Sequence, residues 1–155
     1  MIVTLSCGDP AGARRLPLAG LRLALKLKDK TFPTRTCAYL AETALTEGLL
    51  DEAAEWLTQS LDHQTDPRRN DAHEVARLWV GARLAVAQQQ YLHAATLFGL
   101  AEAIHSQIGY TIDGPMRALA DDALGVVQAA LERAAFAEAF ATGQRMAREE
   151  VFAAL

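Results

Sequence analysis

The sequence predicts an all-α chain, an α-α solenoid of antiparallel helix pairs, and two observations carry the prediction. A block recurs at an offset of 41 residues: Leu50-Asp-Glu-Ala53-Ala-Glu-Trp-Leu57 aligns with Tyr91-Leu-His-Ala94-Ala-Thr-Leu-Phe98, and Leu40-Ala41-Thr43-Ala44-Leu45 falls on Gly81-Ala82-Leu84-Ala85-Val86. Each period holds two helix-spaced apolar patterns, as a stacked array of helical hairpins requires. No segment alternates with period two, so no sheet is expected.

The elements follow from periodicity and punctuation. Asp9-Pro10 reads as an N-cap with proline at the first helical position, opening a helix through Leu27 that Pro17 should kink or delay. Lys28 to Pro33 is a connector. From Thr34 the stripe Cys37, Leu40, Ala41, Ala44 and Leu45 marks a helix that stops before Gly48, and Leu50, Ala53, Ala54, Leu57 and Leu61 mark its return. The polar run Asp62 to Asn70 is the longest loop, and Asp71-x-x-Glu74 fits a capping box. That box opens a helix carrying Val75, Leu78, Ala82, Ala85 and Val86 inward to about Gln88. Tyr91, Ala94, Ala95, Phe98 and Ala101 belong to its partner, which Gly109 should cap. After Gly114-Pro115 a third pair is expected, with Leu119, Ala123, Val126, Val127 and Ala130 inward on one helix and Phe136, Ala139 and Phe140 on the next. The expected organisation is one domain over 1–155: a partial repeat at 1–30, repeats at about 34–62, 71–108 and 116–143, and a terminal helix at 148–155.

Composition narrows the function classes. At 155 residues the chain can bury roughly 70% of the surface its unfolded form exposes. Its net charge of −4 and its scattered basic residues argue against a nucleic-acid surface, and Arg68-Arg69 reads as solvated loop. Cys7 and Cys37 stand 30 residues apart without ligand spacing, so cytosolic thiols are expected in place of a disulfide framework or a metal cluster. The opening Met1-Ile-Val-Thr-Leu is too short for a signal or a membrane span, and a cytoplasmic protein is expected. Of the four histidines, His105 edges a buried stripe and His93 should be exposed; none is spaced as a metal ligand. Asp121-Asp122 and Glu149-Glu150 lie beside helix starts, where the helix dipole accounts for them without catalysis. No phosphate loop, cofactor motif or catalytic constellation appears.

The 41-residue unit resembles a tetratricopeptide repeat, with Gly48, Leu50, Ala53, Leu57 and Ser60-Leu61 at that family's turn, bulky, small and helix-packing positions. More closely, the chain resembles the C-terminal helical-repeat region of large bacterial LuxR-type and AfsR-type transcriptional regulators. The likeness rests on Ala13 to Lys30, where Lys28 stands for the family's turn glycine, and on Ala94 to Ala103, Ile108-Gly109, Phe136 to Gln144 and Glu149-Glu150. The resemblance implies a non-enzymatic regulatory part of such a regulator, beginning inside a repeat and separate from its ATPase and DNA-binding parts.

It also implies a binding face on the first helix of each pair, at Arg35, Ala38, Glu42, Leu45 and Thr46, then Ala76, Trp79, Arg83, Val86 and Ala87, then Asp121, Leu124, Gln128, Leu131 and Glu132. Arg35, Glu42, Trp79, Arg83 and Gln128 are its chemically distinctive members. Trp79 and Arg83, one turn apart, suit an aromatic face and a charged donor aimed at one ligand group; the alternative is that Trp79 fills space against a neighbouring helix. The expected partner is a protein segment or another domain of the parent regulator, and the alternative is a small effector. The first helix, with Leu16, Leu18, Leu21, Leu23, Leu25 and Leu27 uncovered, should self-associate.

Overall fold

The computed structural model describes residues 10–29, 31–63, 72–108 and 114–146, most of them helical and the rest in short connections, with no strand among them. The Asp9 and Asp71 caps, the Gly109 cap, Cys7, Arg68-Arg69, Glu149-Glu150 and the helix at 148–155 lie outside the described residues. Seven helices follow in order: α1 (Pro10–Lys26), α2 (Phe32–Thr46), α3 (Leu50–Asp62), α4 (Ala72–Ala87), α5 (Tyr91–Ile108), α6 (Pro115–Ala130) and α7 (Arg133–Arg145). They form two compact units, residues 1–66 and 67–155.

In the first unit α2 packs against both α1 and α3. Leu21 of α1 meets Cys37 and Leu40 of α2, with Leu18 and Trp56 against them. Pro17 lies inside α1 and does not delay its start. A proline in a helix interior removes one ladder bond and costs about 3 kcal/mol, which the burial of Leu21 and Ala24 works against. Arg14 fastens α1 to the rest of the unit, pairing with Glu47 in the α2–α3 turn and with Glu52 of α3. Glu52 also accepts a hydrogen bond from the Trp56 indole at 3.1 Å, and Ser60 of α3 donates to the Thr34 carbonyl at 2.8 Å. Helix α2 begins at Phe32, earlier than the expected Thr34. Asp29 explains the early start, because its carboxylate accepts the Thr31 and Phe32 amides at 2.7 and 2.9 Å. Those two amides hold the Asp29 carboxyl below its ordinary pKa.

The turns account for the 41-residue recurrence. At the end of α2 Gly48 is left-handed (φ 77°), and the Leu49 amide reaches the Ala44 carbonyl at 2.9 Å while the Gly48 amide reaches Leu45 at 3.1 Å. This is the Schellman arrangement, which satisfies the orphan carbonyls of a helix end. Forty-one residues on, Gln89 is left-handed (φ 60°), with Gln90 bonded to Ala85 at 2.8 Å and Gln89 to Val86 at 2.9 Å. The end of α1 is built alike: Lys28 (φ 54°) takes the glycine conformation, Asp29 bonding to Ala24 and Lys28 to Leu25. Hairpins α2–α3 and α4–α5 are thus the same local structure, and their aligned small residues Ala53 and Ala94 are both buried.

In the second unit α5 is central. It carries Ala94, Leu97, Phe98, Leu100 and Ile104 into a core shared with Val75, Leu78 and Trp79 of α4 and with Ala120 and Val127 of α6. The last two helices depart from the expected third hairpin. Their connection is extended through Leu131 and Glu132, and α7 packs chiefly on α5. Glycine makes that packing possible. A Cβ on Gly99 would stand 2.0 Å from the Phe140 carbonyl oxygen, and one on Gly143 would stand 1.9 Å from that of Thr96. On α6, Val127 is buried and Ala123 packs half-buried against the core, as expected, whereas Leu119, Val126 and Ala130 are exposed and Ala120 is buried. The buried stripe departs from the sequence reading at these positions because an alanine-rich pattern offers nearly equivalent stripes.

Two outcomes are expected in urea unfolding. A non-glycine residue in the left-handed region costs about 1–2 kcal/mol, against about 0.5–1 kcal/mol of extra chain entropy for glycine. Lys28→Gly and Gln89→Gly should therefore each stabilise by about 0.5–1 kcal/mol and Gly48→Gln should destabilise by a similar amount; unchanged midpoints would show that these turns are not set this way. Gly99→Ala and Gly143→Ala should each destabilise by about 1–3 kcal/mol, as overpacked helix contacts do, whereas Gly125→Ala, with open space at its Cβ, should not.

Candidate functional site

The expected binding residues divide between the two units. Arg35 is exposed on α2. Glu42, about two turns further along, is only 2% exposed and lies inside the first unit, so its side chain does not present a solvent-facing carboxylate. The Thr46 hydroxyl donates to the Glu42 carbonyl at 2.9 Å. In the second unit Arg83 is half-buried on α4, and Gln128 and Asp121 are exposed on α6. Leu124 and Leu131, expected on the binding face, pack half-buried against the core.

Trp79 points inward. It is 6% exposed, and three elements meet on its ring. The His105 imidazole of α5 approaches edge to face, with centroids 6.2 Å apart and planes at 71°. The Arg117 guanidinium of α6 sits 5.6 Å from the ring centroid, within reach of the ring quadrupole. Arg117 Nε also donates to both Asp121 carboxylate oxygens, at 2.9 and 3.0 Å. The cation over the indole therefore comes from α6, and it is held there by an acid one turn along its own helix. Beside the ring a cleft of about 30 Å³ lies among Trp79, Phe98, Glu102, Arg117 and Leu124. That volume is about one water molecule's share, so this side of Trp79 is packed surface with room for solvent and none for a drug-sized ligand.

A larger hollow lies at the start of α5. Gln89, Gln90, Tyr91, Leu92, His93 and Leu131 line a shallow depression that is wide open to solvent, unlike the enclosing clefts of small-molecule sites. Leu92 is exposed, while Tyr91, His93 and Leu131 are half-buried. His93 is thus less open than its sequence position suggests, because it lines this hollow. The left-handed Gln89 turn directs the chain so that the Gln89 and Gln90 residues and the first turn of α5 share one rim.

Other chemistry is sparse among the described residues. No group of three His, Cys, Asp or Glu there is placed to hold a metal ion. Cys37 is buried, and burial pushes its thiol up to about 11, which keeps it protonated and unreactive near neutral pH. No described helix is long and apolar enough to cross a membrane. Comparison with protein-family models, with curated proteins and with solved structures found no match.

Sequence reasoning missed Arg117 as the partner of Trp79, since the pair spans 38 positions and nothing local links them. The i,i+4 spacing of Arg117 and Asp121 was the one available signal. Tyr91 packs half-buried against the core, as the sequence reading has it, whereas the exposed Leu92 beside it carried no reading.

Trp79→Ala should cost about 3–5 kcal/mol of stability, as expected for an aromatic removed from a packed core. Arg117→Ala should cost about 0.5–1 kcal/mol, and the two losses should be coupled in a double-mutant cycle by urea unfolding. Additive losses would mean that the Arg117 stack contributes nothing.

Proposed function

We propose that this chain is a non-enzymatic, tetratricopeptide-like interaction module that binds protein segments through first-helix side chains: on the first unit the exposed Arg35, and separately on the second unit the half-buried Arg83 and the exposed Gln128. The observation that supports the reading is the repeated hairpin: two helix pairs 41 residues apart end their first helices in the same left-handed turn. Repeated hairpins hold side chains on rigid helices and suit the recognition of extended or helical segments. The resemblance to the C-terminal part of LuxR-type and AfsR-type regulators makes the partner another domain of such a regulator in the bacterial cytoplasm. Trp79 enters this reading as a support for the α4 surface, with Arg83 as the contact group.

A second reading, a sensor for a small effector, draws on the open depression at Gln89 to His93. Tyr91 would supply the apolar wall there, and the two glutamines would supply amide donors and acceptors.

The test is a calorimetric titration with the phosphate-loop ATPase domain of a LuxR-type or AfsR-type regulator, chosen from an adjoining reading frame where one encodes it. Arg35→Ala and Arg83→Ala should each weaken binding about tenfold, equivalent to about 1.4 kcal/mol, with helicity unchanged by circular dichroism. Binding indifferent to both substitutions would remove the first-helix site. A small molecule that raises the melting temperature of the wild type and leaves Tyr91→Ala unchanged would favour the sensor.

A further inference from the structure

The end of α1 is apolar on two opposite sides. Leu23, Leu25 and Leu27 are 58, 48 and 71% exposed there. The Leu27 amide bonds to the Leu23 carbonyl at 3.0 Å, so Leu27 continues the helical course and shares a side with Leu23. Leu25, two residues from each, points to nearly the opposite side.

Cations stand between the two leucine sides. Arg22 and Lys26, one turn apart, are exposed, as is Lys28 in the turn that follows. In a chain of net charge −4 this helix contains no acidic residue, and none of the three cations has an ion-pair partner among the described residues. Asp29 is the nearest acid in sequence, and its carboxylate is engaged by the Thr31 and Phe32 amides. From Arg22 to Lys28 the helix end spans about 9 Å, which matches the depth of about 5–10 Å to which apolar side chains enter the headgroup and acyl boundary of a bilayer.

The arrangement selects its occupant. A partner helix lies along one side of α1 and would cover either Leu25 or the Leu23–Leu27 pair. A fluid apolar phase covers both sides at once, and the stems of Arg and Lys reach from it to anionic groups at its surface. We propose that the end of α1 dips tip-first into the surface of an anionic lipid bilayer, with Leu23, Leu25 and Leu27 at the acyl boundary and Arg22, Lys26 and Lys28 among the headgroup phosphates and carboxylates. Leu16 is 67% exposed, but it lies about 16 Å behind Leu27 along the helix and stays outside. The surface uses neither the first-helix contacts nor the depression of the previous subsection, so its failure leaves those readings standing.

The test is cosedimentation of the full chain with vesicles of equimolar phosphatidylcholine and phosphatidylserine, beside vesicles of phosphatidylcholine alone. The wild type should pellet with the anionic vesicles only, and added salt should release it. Leu25→Ser and Leu27→Ser should each weaken binding about tenfold. Arg22→Ala and Lys26→Ala should each weaken it about fivefold, and Leu16→Ser should leave it unchanged. All five positions are exposed, and circular dichroism checks that each variant folds; the cation variants and the salt response decide the matter where a leucine variant does not. Binding that needs Leu16 and Leu27 but is indifferent to Leu25→Ser would overturn the proposal in favour of contact along one side of the helix, as a partner protein makes. No binding, or equal binding to the neutral vesicles, would overturn it as well.

Discussion

Three of the helix connections among the described residues, α1–α2, α2–α3 and α4–α5, depend on one residue in the left-handed region at the end of the first helix. That residue reverses the chain in two positions, closes the last open carbonyls of the helix and fixes where the return helix begins. Lys28, Gly48 and Gln89 occupy the position in turn. At Gly48 the conformation comes without steric penalty; at Lys28 and Gln89 a side chain is forced into it. The energy that holds those two turns lies outside them, in the apolar contacts of the helices on either side. The first helices of the α2–α3 and α4–α5 hairpins end in the same bonds although their turn residues, Gly48 and Gln89, share no side-chain chemistry.

Much of the helical architecture was legible in the sequence, and the reasons are local. The ends of α2 and α4 and the starts of α3 and α5 follow from Gly48, from Pro-free apolar periodicity and from the offset of 41. The start of α2 was misplaced because Asp29 acts through an Asx-type bond three residues ahead of the helix, a signal easily taken for loop. The face of α6 was misread because alanine at many positions leaves the hydrophobic stripe poorly defined over a residue or more. The placement of α7 on α5 was invisible for a different reason. It depends on the absence of side chains at Gly99 and Gly143, and a glycine inside a helix carries no sign of which distant backbone it admits.

The candidate site was legible in part. Arg35 and Gln128 are exposed and Arg83 is half-buried, whereas Glu42 turned out to lie inside the first unit and Trp79 to be core. An isolated helix face does not distinguish a tryptophan offered to a ligand from one enclosed by later elements. That distinction was supplied here by His105 and Arg117, which arrive from α5 and α6.

The crossing of α5 and α7 brings main chain to main chain. Most helix interfaces accommodate disturbance by letting a few side chains change rotamer, and this one has none at its centre to change. The two helices are therefore coupled stiffly, and any displacement of α7 has to be carried by α5 as a whole. The half-buried side chains of α6 and its extended link at Leu131-Glu132 provide the compliant layer beside them. Within the second unit, mechanical slack is thus concentrated on one side of α5, and slow amide hydrogen exchange belongs to the stretch from Thr96 to Leu100 that Gly143 covers.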